Sequence, residues 1–312
     1  MYSLKPWIKQ ENVDWEAISI HPYAIDLLYE NQDKIDWYWL SLNPNAVSLL
    51  TENQDKIVWE NISGNPSAIH LLTQNQDKID WMVLSGNPNA IELLTENQDK
   101  INWSVLSMNY NAIELLTENQ DKIVWENISV NPNAMDLLTQ NQDKISWTSL
   151  SQNPNAIELL TENQDKIDWA WISQNPNAIE LLTENQDKID WHWISFNVNA
   201  MDLIVQNPNK VCWDVLSVNP SAIELLTENQ DKITWRWLAR NPNAMDLLTE
   251  NQDKINWSDF SQNESIFEYN YRGIKERCEL YKDELMAVSL HPSRIKKLLD
   301  LGIDSCQLHH YI

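Results

Sequence analysis

The sequence predicts an all-α solenoid of about twelve 22-residue, two-helix repeats, and three observations predict it. Tryptophan recurs every 22 residues, at Trp15, Trp37, Trp59, Trp81, Trp103, Trp125, Trp147, Trp169, Trp191, Trp213, Trp235 and Trp257, without insertion or deletion. An Asn-Pro pair stands six residues after most of them, as at Asn43-Pro44 and Asn87-Pro88. No stretch alternates apolar and polar residues as a half-buried strand does. A strict period of roughly 20–50 residues marks a small unit that buries its apolar face against copies of itself.

Each unit carries two helix-start signals. The residue before the tryptophan is Asp, Asn, Ser or Thr in nine of twelve copies, with Val58, Val124 and Cys212 as exceptions. Those side chains cap a helix by accepting from its free N–H groups, so Trp37–Ser41 is a helical turn of α or 3₁₀ type. The pair Asn43-Pro44 then places an N-cap before a proline whose missing N–H costs nothing at the first helical position. This second helix runs from Pro44 to about Glu52.

Asn53 and its ten counterparts stop that helix, at the place where a left-handed residue is common and Asn is the usual substitute for Gly. The chain has only four glycines. A short connector, Gln-Asp-Lys-Ile57, returns to the next tryptophan. The apolar positions Trp37, Leu40, Ala46, Val47, Leu49, Leu50 and Ile57 form the predicted core, with the ladder indoles largely buried in one line. Helices this short are marginal alone, so stacking supplies their stability. Twelve layers at roughly 8–10 Å give a rod or gentle superhelix on the order of 100 Å long.

The period divides the chain into an N-terminal cap (1–14), the repeat array (15–262) and a non-repeating segment (263–312). The last contains helices over Lys275–Met286 and Pro292–Leu301, the second stopped at Gly302, and reads as a helical cap or a docking segment. One copy departs from the consensus: Val205-Gln-Asn-Pro-Asn-Lys-Val-Cys212 brings a second Asn-Pro that predicts a local bend.

The formal charge of −24 lies almost wholly in the repeats. Such a field repels nucleic acid and anionic lipid and favours basic protein partners. Glu92, Glu114, Asp136, Glu158, Glu180, Asp202, Glu224 and Asp246 share one helix position, so acidic rows run along the stack. The opening residues lack the apolar run of a signal peptide, and no later stretch is long enough to span a bilayer. Three unpaired cysteines fit a reducing compartment, so the expectation is a cytoplasmic protein. The scattered histidines, His309-His310 included, lack a third nearby metal ligand. There is no phosphate loop, nucleophile elbow or paired-cysteine spacing. The reading is a non-enzyme without cofactor or metal, present as a monomer or weak dimer.

The run Leu84-Ser-Gly-Asn-Pro-Asn-Ala-Ile-Glu-Leu-Leu94 resembles the unit of the leucine-rich repeat variant. That likeness implies alternating short helices, one of them 3₁₀, in a right-handed superhelix. The opening Leu4-Lys-Pro-Trp-Ile8, the Ile-Asp-Trp units and the ending His291-Pro-Ser-Arg-Ile-Lys-Lys-Leu-Leu-Asp300 are similar to repeat proteins of giant DNA viruses. This second likeness covers nearly the whole chain and implies a host-cell cytoplasmic or virion location, and no reaction.

Three positions differ freely between copies: one, two and five residues after the tryptophan. Large aromatics there mark an interface rather than solvent filler. Trp39, Trp171, His192, Trp193, Phe196, Arg236, Trp237 and Arg240 are therefore the candidate protein-binding residues. The predicted function is a protein-interaction scaffold acting through these rows and the acidic face. The alternatives are a structural virion or self-associating rod component, and an adaptor that docks partners through the C-terminal segment.

Overall fold

The computed structural model describes residues 1–301; Gly302, Cys306 and His309-His310 lie outside them. It is an α-solenoid of the expected period. Each repeat has a tryptophan-led helix of four to six residues, such as Trp37–Leu42 or Trp125–Ile128, and each of the first eleven adds a six-residue second helix, such as Val47–Glu52. A 3₁₀ turn such as Gln54–Lys56 returns the chain in most copies. The core between the two helix rows is one continuous cluster. Leu40, Leu49 and Leu50 and their counterparts are almost fully buried, each contributing on the order of 1.5–3 kcal/mol of transfer free energy.

The caps explain the short helices. Asp36 Oδ1 accepts from the Tyr38 and Trp39 amides. Asp80, Asn102, Ser146, Asp168, Asp190 and Asn256 cap in the same way. Thr234 does not, because its hydroxyl donates to Asp214 instead. Pro44-Asn-Ala46 forms a turn ahead of the second helix, which begins at Val47 rather than Pro44. Asn43 Oδ1 holds that turn by accepting from the Asn45 amide.

Asn53 corrects the expected left-handed stop, since its φ is −130°. Its side-chain amide donates back to the Leu49 carbonyl at 2.9 Å. An orphan carbonyl at the helix end is thus satisfied by a side chain, and no positive φ is required. The Asn207-Pro208 copy keeps the same geometry, with Asn207 donating to Leu203, so the expected bend does not occur.

Two polar ladders join the layers. Ser41 Oγ donates to the Trp37 carbonyl and accepts from the Val58 amide of the next repeat. Asn65 Nδ2 donates to the Ser41 and Asn43 carbonyls of the preceding one. These groups are almost fully buried, and among the described residues no buried side-chain polar atom lacks a partner. The ladders fix register where apolar packing alone would let layers slide.

The ladder tryptophans are half-buried, not largely buried as expected, although all pack on the core. Their outer faces are covered by lysines: Lys56 Nζ lies 4.5 Å from the Trp37 ring centroid and Lys166 Nζ 4.2 Å from that of Trp147. Every repeat from Trp15 to Trp235 has this contact. The lysine row is therefore a set of cation–π lids, each worth about 0.5–1 kcal/mol at such exposure.

The solenoid is closed. Its first and last layers meet, so the open rod expected from the period is not what forms. Asp14 N–H donates to Ser261 Oγ at 2.9 Å, and His21 Nε2 lies 3.4 Å from the Asn263 carbonyl. Strand β1 (Tyr2–Leu4) pairs antiparallel with β2 (Phe267–Tyr269), with Ser3 opposite Glu268. Trp7 packs on Trp257 and Phe260 at centroid distances of 6.3 and 5.6 Å. Val13, 22 residues before Ile35, is buried as Ile35 is. Residues 1–14 thus supply the missing second half of the twelfth repeat.

Within the ring, successive tryptophan helices pack directly on one another, as Trp15–Ile20 does on Trp37–Leu42, and successive second helices approach less closely. On a closed ring the closer-spaced row lies inside. The tryptophan helices therefore form the inner wall and the second helices the outer one. Beyond β2, helices Tyr271–Ser289 and Pro292–Asp300 follow, largely exposed along their described side chains.

Candidate functional site

The inner helix sets which side chains face the bore. At about 100° per residue, the positions zero, three and four residues from the tryptophan point to the core, and those one, two and five residues after it point away. Leu40 and Ser41 are inaccessible and Tyr38 is 50% exposed, whereas the row two residues after the tryptophan is buried between layers at Ala17, Asn61, Ser149, Val215 and Asp259. The three variable rows thus line the inner wall. Several large exposed apolar side chains sit there, namely Tyr38, Met82, Met108, Phe196 and Trp237.

The structure gathers the candidate residues into two clusters. In the first, Trp171 and Trp193 lie 5.3 Å apart between ring centroids. His192 stands edge-on to Trp193 at 5.3 Å, and Phe196 is 5.9 Å from Trp193. Together they make an aromatic ridge across two layers. The Asp168 and Asp190 caps position Trp171 and Trp193 by accepting their backbone amides.

The second cluster is organised by Asp259. Arg236 Nε donates to its Oδ2 at 2.9 Å, and Arg240 donates to its Oδ1 through Nε at 2.8 Å. The Asp259 side chain is only 6% exposed, against 72% for Arg236. Arg240 also lies over the Trp237 indole, 5.8 Å from its centroid. Repeat 10, with Val215 in the corresponding row, separates the two clusters. Asp259 was not among the sequence-derived candidates. The signal was available, since Asp259 is the only acid in the row two residues after the tryptophan.

Trp39 joins neither cluster directly, but closure brings it near the second. It lines a cleft of about 400 Å³ on the inner side of the seam, with Ala17 and Ile20 of the first repeat and Ser258 and Gln262 of the twelfth. Around the ring, the aromatics of these rows thus stand in repeats 8, 9 and 11 and, across the seam, in repeat 2, while repeats 10, 12 and 1 carry none. The opposite arc carries Asn61, Val83, Val105, Asn127 and Ser149 in the same row, with Gly64 and Gly86 beside it. A Cβ on Gly64 would stand 3.1 Å from Val83 Cγ1, so that arc is tightly fitted between layers.

The acidic row from Glu92 to Asp246 is exposed on the second helices, hence on the outer wall. The variable and acidic rows are therefore on opposite circumferences. His21, buried at the seam, accepts from the Tyr23 amide at Nδ1, which leaves Nε2–H to face the Asn263 carbonyl. Burial holds its pKa down to about 4, and the Asn263 contact partly offsets this. Among the described residues no cluster of three metal-ligating side chains occurs, and no helix is long and apolar enough to cross a membrane. No protein-family model, curated protein or solved structure matches the chain.

Proposed function

We propose that this chain is a protein-interaction scaffold whose recognition face is the aromatic arc of the inner wall. The tandem helical-repeat architecture itself fits an interaction or scaffold role. The observation that carries the finer reading is the Trp171–Trp193–Phe196 ridge. Its three large aromatics are mutually packed yet partly open, at positions where sister repeats carry Val, Asn or Gln. Packed, partly exposed aromatics are the residue types that dominate interface energetics. In repeats 8 and 9 the three rows carry no acidic, lysine or arginine side chain, so an apolar segment of a partner protein is the ligand the ridge suits. The acidic outer wall speeds the approach of a basic partner rather than holding it. The likeness to giant-virus repeats supports a role in the cytoplasm of an infected cell.

The test is replacement of Trp171, Trp193 and Trp237 by Ser, followed by affinity capture from cell extract. The expected outcome is loss of the captured partner, at least ~30-fold in affinity if one anchor contributes 2 kcal/mol. Helix content should persist, because small residues occupy these positions elsewhere in the ring. Undiminished capture by the folded triple variant would move the site off the inner wall.

A further inference from the structure

We propose that the seam between repeats 12 and 1 is a self-association surface, which when opened takes a second copy of this chain head to tail. The bonds across the seam repeat, in part, the bonds within the array. Ser261 serves Asp14 as Ser19 serves Asp36, at 2.9 and 3.0 Å. His21 faces the carbonyl of Asn263 as Asn43 faces that of His21. The exposed face of repeat 12 in an open chain is therefore complementary to the face of repeat 1 in any copy. Every interior interface already tolerates the stacked acidic rows, so charge does not forbid the contact. Such a heterologous pairing continues or closes according to its rotation.

The seam is also where the ring is most easily parted. Its clasp is two three-residue strands, and the array's asparagine is replaced there by a buried histidine that must stay neutral. Phe267 and Tyr23 flank that imidazole at 4.6 and 5.7 Å. The carboxylates of Asp14, Glu16 and Glu264 line the same cleft. Protonation of His21 removes the acceptor that holds the Tyr23 amide and places a charge in the closure. In the closed form the two ends belong to one chain already curved to meet, so closure outcompetes pairing between copies in dilute solution.

The experiment holds the full chain at pH 4 and about 1 mM, returns it to pH 7, and measures mass by light scattering after size exclusion. Dye labels at Glu16 and Ser258 report the seam in parallel. The expected result is parting of the labels at pH 4, then species at twice the chain mass of 36.6 kDa, or higher multiples. A disulfide between Ser3→Cys and Glu268→Cys, with Cys212, Cys278 and Cys306 changed to Ser, should abolish those species. His21→Asn, which restores the array's own residue, should cut their yield several-fold. Equal multimer yield with and without the staple overturns the proposal. So does an unstapled seam that stays shut at pH 4, or one that parts without giving multiples.

Discussion

Ser261 Oγ accepts the amide of Asp14, 247 residues away, with the geometry Ser19 uses for Asp36. That single contact places the twelfth repeat one layer before the first. It also shows what the serine row does throughout the ring, since each hydroxyl joins its own helix to the next layer.

One repeat lacks the serine. Ala239 stands at that position in repeat 11, buried, and so the Asn256 amide has no such partner. Ala239→Ser should add the bond without new volume, as eleven sister sites accommodate the hydroxyl. The expected gain is about 0.5–1.5 kcal/mol in urea unfolding. A loss of stability would mean the ladder is incidental.

The two asparagines of each Asn-Pro-Asn turn should differ sharply. Asn153 is buried and donates to Ser129 and Asn131 at 3.1 and 2.9 Å. Asn155 makes an exposed bond to the Pro132 carbonyl. Asn153→Ala should cost about 2–4 kcal/mol, because two buried carbonyls lose their donor, and Asn155→Ala less than about 1. Equal effects in chemical denaturation would contradict the burial argument.

Lys144 lies over Trp125 at 4.8 Å. Lys144→Met keeps the aliphatic cover and removes the charge, so unfolding should become easier by about 0.5–1 kcal/mol. The indole emission of the array should shift measurably, as one ladder ring loses its cation. An unchanged midpoint would mean the lysines are merely solvated.

Acid should weaken the fold through His21. Its folded pKa, about 4, is below the ordinary 6.5. The neutral form is thus favoured by folding, and that stability is complete above pH 6.5. It declines as pH falls toward 4, by roughly 2–3 kcal/mol. His21→Asn should flatten this part of the stability-against-pH curve; the same slope in both proteins would assign it to other groups.

Much of the fold was legible because each local signal repeats. Trp37, Asn43, Leu50 and Ile57 announce cap, turn, core and return in nearly every copy. Closure was not legible, because it depends on the small rotation between layers, which no single repeat encodes. The Asn53 stop was misread because its amide can satisfy a carbonyl without left-handed backbone, and sequence alone does not separate the two. The role of the lysine row was not legible, because it is the 3₁₀ turn that places each ammonium over an indole 19 residues back. At the inner wall, the variable rows were readable as a face, but the Asp259 pairing required knowing that Arg236 and Arg240 point to the next layer.

The most direct test of the closed ring is the distance between labels at Glu16 and Ser258 in the native chain at neutral pH. Both residues line the same cleft at the seam, so spin or dye labels should lie within about two layers of each other, roughly 20 Å. An open solenoid would separate them by eleven layers, on the order of 100 Å. A short, narrow distance distribution is the predicted result, and a long one would contradict closure.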